Sequence, residues 1–263
     1  MPRAGSTLLQ NVLAANPEIY ATPTSDLLSM LNAAKKVYTT SPVFKAQDPK
    51  QMRSAFLHFC RSGMEGYFQG LTDRPYIIDK CRGWAINRNF LSAFYPNPKI
   101  ICMVRDLREI LASMEKNYRK HPDKWDPGTD QNTDTRVTVG QRVAGWMREK
   151  PVGATLQTLK EVFHRGYDKD ILFVRFEDFC SNPALEMSRI YSYLGLPSYD
   201  HDYQNIVQTT EEDDRFHGRY GDHTISPEIH PIRQRAQELL GARLSQIIFE
   251  KNSWYFEKFQ YQH

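Results

Sequence analysis

Leu8, Leu9, Val12 and Leu13 recur at helical spacing and Asn16-Pro17 supplies a stop, which predicts a first helix that begins inside the opening residues. From Pro75 the run Tyr76-Ile77-Ile78 predicts a short buried strand ending at Asp79-Lys80, and Lys99 to Val104 (KIICMV) predicts a clearer one. After Val104 the chain turns at Arg105-Asp106 and enters LREILASMEKNYRK, where Ile110, Leu111 and Met114 form an apolar stripe. The same order returns at Asp170 to Phe176 (DILFVRF), followed by Glu177-Asp178 and a helix from Pro183 to Leu194 that Gly195 and Pro197 end. Repeated strand and helix alternation predicts an α/β fold, a parallel β-sheet flanked by helices. Near the end, Ile232, Ala236, Leu239, Leu240, Leu244 and Ile248 predict one final helix.

Two stretches break the apolar pattern. Lys120 to Thr138 (KHPDKWDPGTDQNTDTRVT) reads as a long exposed loop and a candidate lid, and Glu211 to Pro231 reads as a second polar, turn-rich segment. With 263 residues, 40% of them hydrophobic, the chain suits a single domain over 1–263. Lys and Arg total 34 against 31 Asp and Glu, so the net charge of +3 gives no bulk electrostatic case for a nucleic-acid partner, and any basic site is local. The four cysteines form no C-x-x-C pair, which favours a reduced compartment. No run approaches the roughly 18 apolar residues of a membrane span, and the opening lacks the apolar core of a signal peptide; the expectation is a cytoplasmic protein without a membrane span.

Candidate chemistry starts at Pro2-Arg3-Ala4-Gly5-Ser6-Thr7, which leads straight into the first helix. Backbone N–H groups, two hydroxyls and a guanidinium then converge where an anion binds best, at a helix N-terminus. A Walker A loop is excluded, because G-x-x-x-x-G-K-[ST] is absent; an ordinary capped helix start is the competing reading. The second element is Arg105 at a strand end, with Ser113 two helical turns further on. A planar guanidinium fork and a hydroxyl suit a phosphate. Alternatively Arg105 pairs with Asp106 or Glu109 and Ser113 lies on the helix surface.

Taken together, the two motifs resemble those of the sulfotransferases that use 3′-phosphoadenosine 5′-phosphosulfate (PAPS). PRAGSTLL is similar to the family's 5′-phosphosulfate loop, VRDLREILASM to its 3′-phosphate motif, and VRFEDFCSNPALEMSRIYSYLGLP to its later strand-helix segment. The likeness is nearest to the branch with arginine in the first loop, shared by carbohydrate and tyrosylprotein sulfotransferases. It implies a P-loop nucleotide-hydrolase-like fold in which Ala4, Gly5, Ser6 and Thr7 hold the 5′-phosphosulfate and Arg105 and Ser113 the 3′-phosphate. Arg3 then stabilises charge on the bridging oxygen; Arg219 in RFHGRYGDHTI is a candidate further 3′-phosphate ligand, with a turn-rich surface loop around Gly218 and Gly221 as the alternative. PAPS is the implied donor, adenosine 3′,5′-bisphosphate the product, and no metal is required.

On the acceptor side, Asp79 and Lys80 end a strand where parallel sheets line their ligand crevice; Lys80 corresponds to the functional lysine of some relatives, and both are catalytic candidates. A general base is expected from the chemistry, with Asp26, Asp79, His58 and His217 as candidates, while no His/Cys cluster has ligand spacing. Tyrosylprotein relatives carry a glutamate near Pro23-Thr24, where this chain reads ATPTSDLL, so the implied partner is a small-molecule hydroxyl acceptor, carbohydrate or other, ahead of protein tyrosine. Trp125, Arg136, Arg142 and Trp146 are candidates for its pocket; an amphipathic helix with Trp146 in the core is the alternative. The family's buried strand ahead of the phosphosulfate loop has no counterpart before Met1, so the first strand is expected to be missing, through an N-terminally shortened sequence rather than an unusual start. Competing functions are a P-loop small-molecule kinase and a catalytically silent nucleotide-binding module.

Overall fold

Glycine at position 5 decides how the chain enters its first helix. Gly5 takes φ 81° and ψ 15°, and a Cβ there would lie 2.3 Å from the Phe176 ring, so both backbone and space demand glycine. Helix α1 (Ser6–Ala14) follows and buries Leu9, Val12 and Leu13, the face its spacing predicted. The computed structural model describes residues 1–120, 138–217, 222–231 and 235–262.

Among the described residues four strands form, all paired in parallel: β1 (Ile19–Thr24), β2 (Tyr76–Lys80), β3 (Ile100–Val104) and β4 (Ile171–Arg175). The last three match the apolar runs. Strand β1 was not foreseen, because Pro23 removes a ladder donor; the strand accommodates it at a register irregularity between Ala21 and Thr24. Helices alternate with the strands, so the architecture is the α/β type that the sequence predicts.

The sheet is split. Strand β1 pairs with β2 and β3 with β4, and among the described residues no strand joins the two pairs. Ile77 and Ile78 of β2 face the same cavity as Ile100, Ile101 and Met103 of β3, which leaves one open edge on each pair. The Met1 ammonium sits at the mouth of this slot, donating to the Met103 carbonyl at 3.2 Å.

Two apolar clusters grip the halves. One packs Leu107, Ile110, Leu111 and Met114 of the helix Leu107–Lys120 against Trp146, Tyr255 and Phe256. The other packs α1 against Val174, Phe179, Met187 and Ile190. Trp146 is only 1% exposed inside the first cluster, and Arg142 donates to Glu115 Oε2 and Oε1 at 2.9 and 2.7 Å, so both belong to the core rather than to an acceptor pocket. The predicted final helix is instead two pieces, Ala236–Leu240 and Ala242–Lys251, and a further helix, Ser253–Lys258, follows them. Gly241, at φ 80° and ψ 158°, breaks the first from the second, and Ile232 lies outside the described residues. No described helix is long and apolar enough to cross a membrane.

Candidate active site

A cavity of about 1600 Å³ opens at the carboxyl ends of the strands and is lined by Arg3 to Thr7, Lys80, Arg105, His217, Asp222 and His223. At one end, Arg3 holds a left-handed backbone (φ 53°), uncommon for a residue with a side chain. Its Nε donates to Ser113 Oγ at 3.2 Å and its Nη1 to the Asp222 carbonyl at 2.6 Å. Arg105 Nη1 donates to the Arg3 carbonyl at 3.0 Å, and its guanidinium lies over the Phe176 ring, 4.9 Å from the centroid. Residues that are about a hundred positions apart thereby form one basic corner beside the N-terminus of α1.

The competing pairings for Arg105 are weak. Asp106 is held by Arg108 through two nitrogens, and Glu109 Oε2 is 4.0 Å from Arg105 while its other oxygen accepts from the Arg235 and Ala236 N–H groups. Arg105 Nε is buried with no hydrogen-bond partner. Burial draws the Arg105 pKa down from the usual arginine value, and Glu109 and Glu177 partly restore it. An orphaned guanidinium N–H beside a helix N-terminus is what a phosphate oxygen would satisfy.

On the other side of the Arg3–Thr7 loop, Lys80 Nζ donates to Thr7 Oγ1 at 3.2 Å and to Glu212 Oε1 at 2.6 Å. Glu212 Oε1 also accepts from the Thr24 N–H at 2.9 Å, so the segment without a glutamate of its own receives one from far along the chain. Burial alone would raise the Glu212 carboxyl, but the Lys80 ammonium and the Thr24 N–H hold it well below the usual carboxylate range. Burial lowers Lys80, against the pull of Glu212. The other oxygen, Glu212 Oε2, lies 3.0 Å from His217 Nε2 and 3.4 Å from His223 Nε2, yet no hydrogen bond is correctly aimed at it. His223 Nδ1 meets Asp214 Oδ1 at 2.6 Å. A carboxylate only accepts, so Nδ1 carries the proton and Nε2 presents a lone pair. Burial lowers the His223 pKa, opposed by Asp214.

The other candidates sort by their contacts. Asp79 accepts from Thr22 Oγ1 at 3.3 Å and from Trp84 Nε1 at 2.6 Å, and burial raises its pKa. The first bond ties β1 to β2 behind Lys80, and the second ties β2 to Trp84. Asp26 is exposed at the start of Leu27–Thr40, and exposed His58 bonds the Ser54 carbonyl on the helix Pro49–Gln69, away from the cavity lining. Trp125, Arg136, Arg219 and the candidate lid over 121–137 lie outside the described residues. Glu212, Asp214, Asp222 and His223 were missed. All lie in the turn-rich 211–223 stretch, and the only available signal was its density of acidic and histidine residues.

A model of the sulfotransferase family matches residues 1–201, most of the chain. The chain belongs to the sulfotransferase family. That membership makes it a transferase and covers both the α1 loop and the Arg105 segment. No curated protein sequence matches this sulfotransferase. Among solved structures, the sulfotransferase domain from the curacin biosynthetic pathway is 17% identical with a TM-score of 0.49, covering 96% of this chain and 94% of its own. The sulfotransferase domain from the Synechococcus PCC 7002 olefin synthase is 17% identical with a TM-score of 0.42, covering 76% of this chain and 71% of its own.

Proposed function

We propose that this sulfotransferase moves a sulfuryl group from PAPS to the hydroxyl of a small molecule, a carbohydrate or another alcohol, and releases adenosine 3′,5′-bisphosphate. The observation that carries the reading is the basic corner of Arg3, Arg105 and Ser113 beside the α1 N-terminus, with Arg105 Nε buried and unpartnered. PAPS differs from ATP by its 3′-phosphate, and a guanidinium–hydroxyl pair separate from the Gly5–Thr7 loop is a means to recognise it. The absence of a Walker lysine weighs against the kinase alternative.

PAPS supplies an activated sulfuryl group on a phosphate leaving group. The backbone N–H groups of Gly5, Ser6 and Thr7 hold the 5′ end, and Arg3 and Lys80 neutralise charge that grows on the leaving oxygen. As the acceptor oxygen bonds to sulfur, the sulfur–oxygen bond to the phosphate breaks and the hydroxyl proton passes to His223 Nε2. Asp214 fixes that imidazole in the accepting tautomer. Asp79 positions Lys80 by holding Thr22, whose Oγ1 accepts the Lys80 N–H at 2.9 Å.

Calorimetry with adenosine 3′,5′-bisphosphate and ATP, followed by an assay of sulfate transfer from PAPS to alcohols, phenols and sugars, tests this. The bisphosphate should bind and ATP should not compete. Preference for ATP defeats the donor assignment, and bisphosphate binding without any turnover favours the silent module.

A further inference from the structure

We propose that Glu212, His217 and His223 form a binding site for a zinc-type divalent cation, and that its occupation stops transfer. The ligand atoms of the three side chains lie within 4.8 Å of one another. Glu212 is 3% exposed at its side chain, and its Oε2 is buried without a hydrogen bond while two imidazole Nε2 atoms approach to 3.0 and 3.4 Å. His223, whose Nδ1 proton is taken by Asp214, turns the lone pair of Nε2 toward that oxygen, which is unfavourable unless a positive centre lies between them. Lys80 does not fill that place, because it and the Thr24 N–H take the other oxygen, Oε1.

The donor set fits the metal. Two imidazoles and one carboxylate, with a fourth position left to water, is a known zinc arrangement, and ligand atoms about 2.0–2.2 Å from one ion stand some 3.4 Å apart. The pairs at 3.0 and 3.4 Å already match. His217, 32% exposed at its side chain, has room to rotate and close the widest separation. Asp214 supplies the outer partner: its carboxylate accepts from His223 Nδ1 at 2.6 Å, which fixes the tautomer that leaves Nε2 for a metal. The proposed consequence rests on the role given above to His223, since a metal on Nε2 takes the lone pair that would receive the acceptor's proton.

The test is calorimetric titration of the chelator-treated full chain with Zn²⁺, repeated with Co²⁺, whose absorption separates nitrogen and oxygen ligands from thiolates. One ion per chain should bind with nitrogen and oxygen ligation. Asp214→Asn should lower affinity roughly 10–100-fold, and His217→Ala should lower it further. Absence of saturable binding, or the same affinity in His217→Ala and His223→Ala as in the wild type, overturns the site. In the transfer assay, zinc should suppress the wild-type rate, a chelator should restore it, and His217→Ala should keep its own metal-free rate when zinc is added. Unchanged wild-type transfer with the site filled overturns the switch. Zinc binding without bisphosphate binding would instead sink the PAPS reading and leave the site standing.

Discussion

The corner around Arg3, Arg105 and Ser113 and the cluster around Lys80 and Glu212 face one cavity but are assembled by different forces. The first hangs mainly on regular elements, the start of α1, the end of β3 and a helix whose Leu107, Ile110 and Leu111 are wholly buried, with one tie from Arg3 to the Asp222 carbonyl of the irregular stretch. The second hangs on Lys80 and an irregular stretch held by polar contacts. Asn11 Oδ1 accepts from the Thr209 and Thr210 N–H groups at 2.6 and 3.1 Å, and Gln208 donates to the His223 carbonyl at 3.1 Å. Packed elements hold Arg105 and Ser113 in place. Hydrogen-bonded loop geometry sets the other end, so substitutions there should affect turnover with little effect on donor affinity or folding.

The largest effect expected from this contrast is at His223. His223→Ala should lower kcat roughly 100- to 10,000-fold, the usual scale for losing a general base, while bisphosphate affinity measured by calorimetry stays as in the wild type. An equal loss of both would mean that the 211–223 stretch is part of the donor site, and the division between the ends would fall. Gly5→Ala should do the reverse. A left-handed alanine costs about 1–2 kcal/mol, and displacing the Phe176 ring about 1–3 kcal/mol more, so urea unfolding should register a loss of about 2–5 kcal/mol. Combining it with Phe176→Ala should return the part owed to the ring; no recovery would place the whole cost in the backbone.

This difference in assembly also explains what could be read from the chain. KIICMV, DILFVRF and the Ile110–Met114 stripe announce their elements because burial imposes a period on neighbouring residues. Arg105 and Ser113 were singled out by the family resemblance of their motif, and they sit just after β3 and on the helix that follows it. Strand β1 escaped because Pro23 mimics a breaker where the register is already irregular. The broken C-terminal helix escaped because apolar spacing runs on across Gly241. Glu212, Asp214 and His223 carry no period at all. Their grouping rests on contacts that bring Glu212 to Thr24 and His223 to Asp214, and spacing in sequence does not encode such contacts.

A smaller effect is expected at Arg105. Arg105→Ala should weaken bisphosphate binding by roughly 1.5–3 kcal/mol, the scale of a hydrogen bond to a charged group. Arg105→Lys should recover only part of it, because an ammonium keeps the charge and loses the planar fork. Affinity unchanged in the alanine variant would remove Arg105 from the site and leave its buried Nε without a purpose.

The smallest effect is at Thr7, which links the start of α1 to Lys80. Its backbone starts α1 with the donor loop, while its Oγ1 accepts from the Lys80 ammonium that also holds Glu212. Thr7→Ala removes one hydrogen bond and should lower kcat/KM by the equivalent of roughly 0.5–1.5 kcal/mol, with Thr7→Ser restoring most of it. Its value lies in a double-mutant cycle with Glu212→Gln, since the two residues share Lys80 without touching each other. Lys80 released from Glu212 can lean fully on Thr7, so the second substitution should change the cost of the first by about 0.5 kcal/mol or more. Additivity within about 0.3 kcal/mol would show that Lys80 transmits nothing between the ends and that the cavity holds two independent sites.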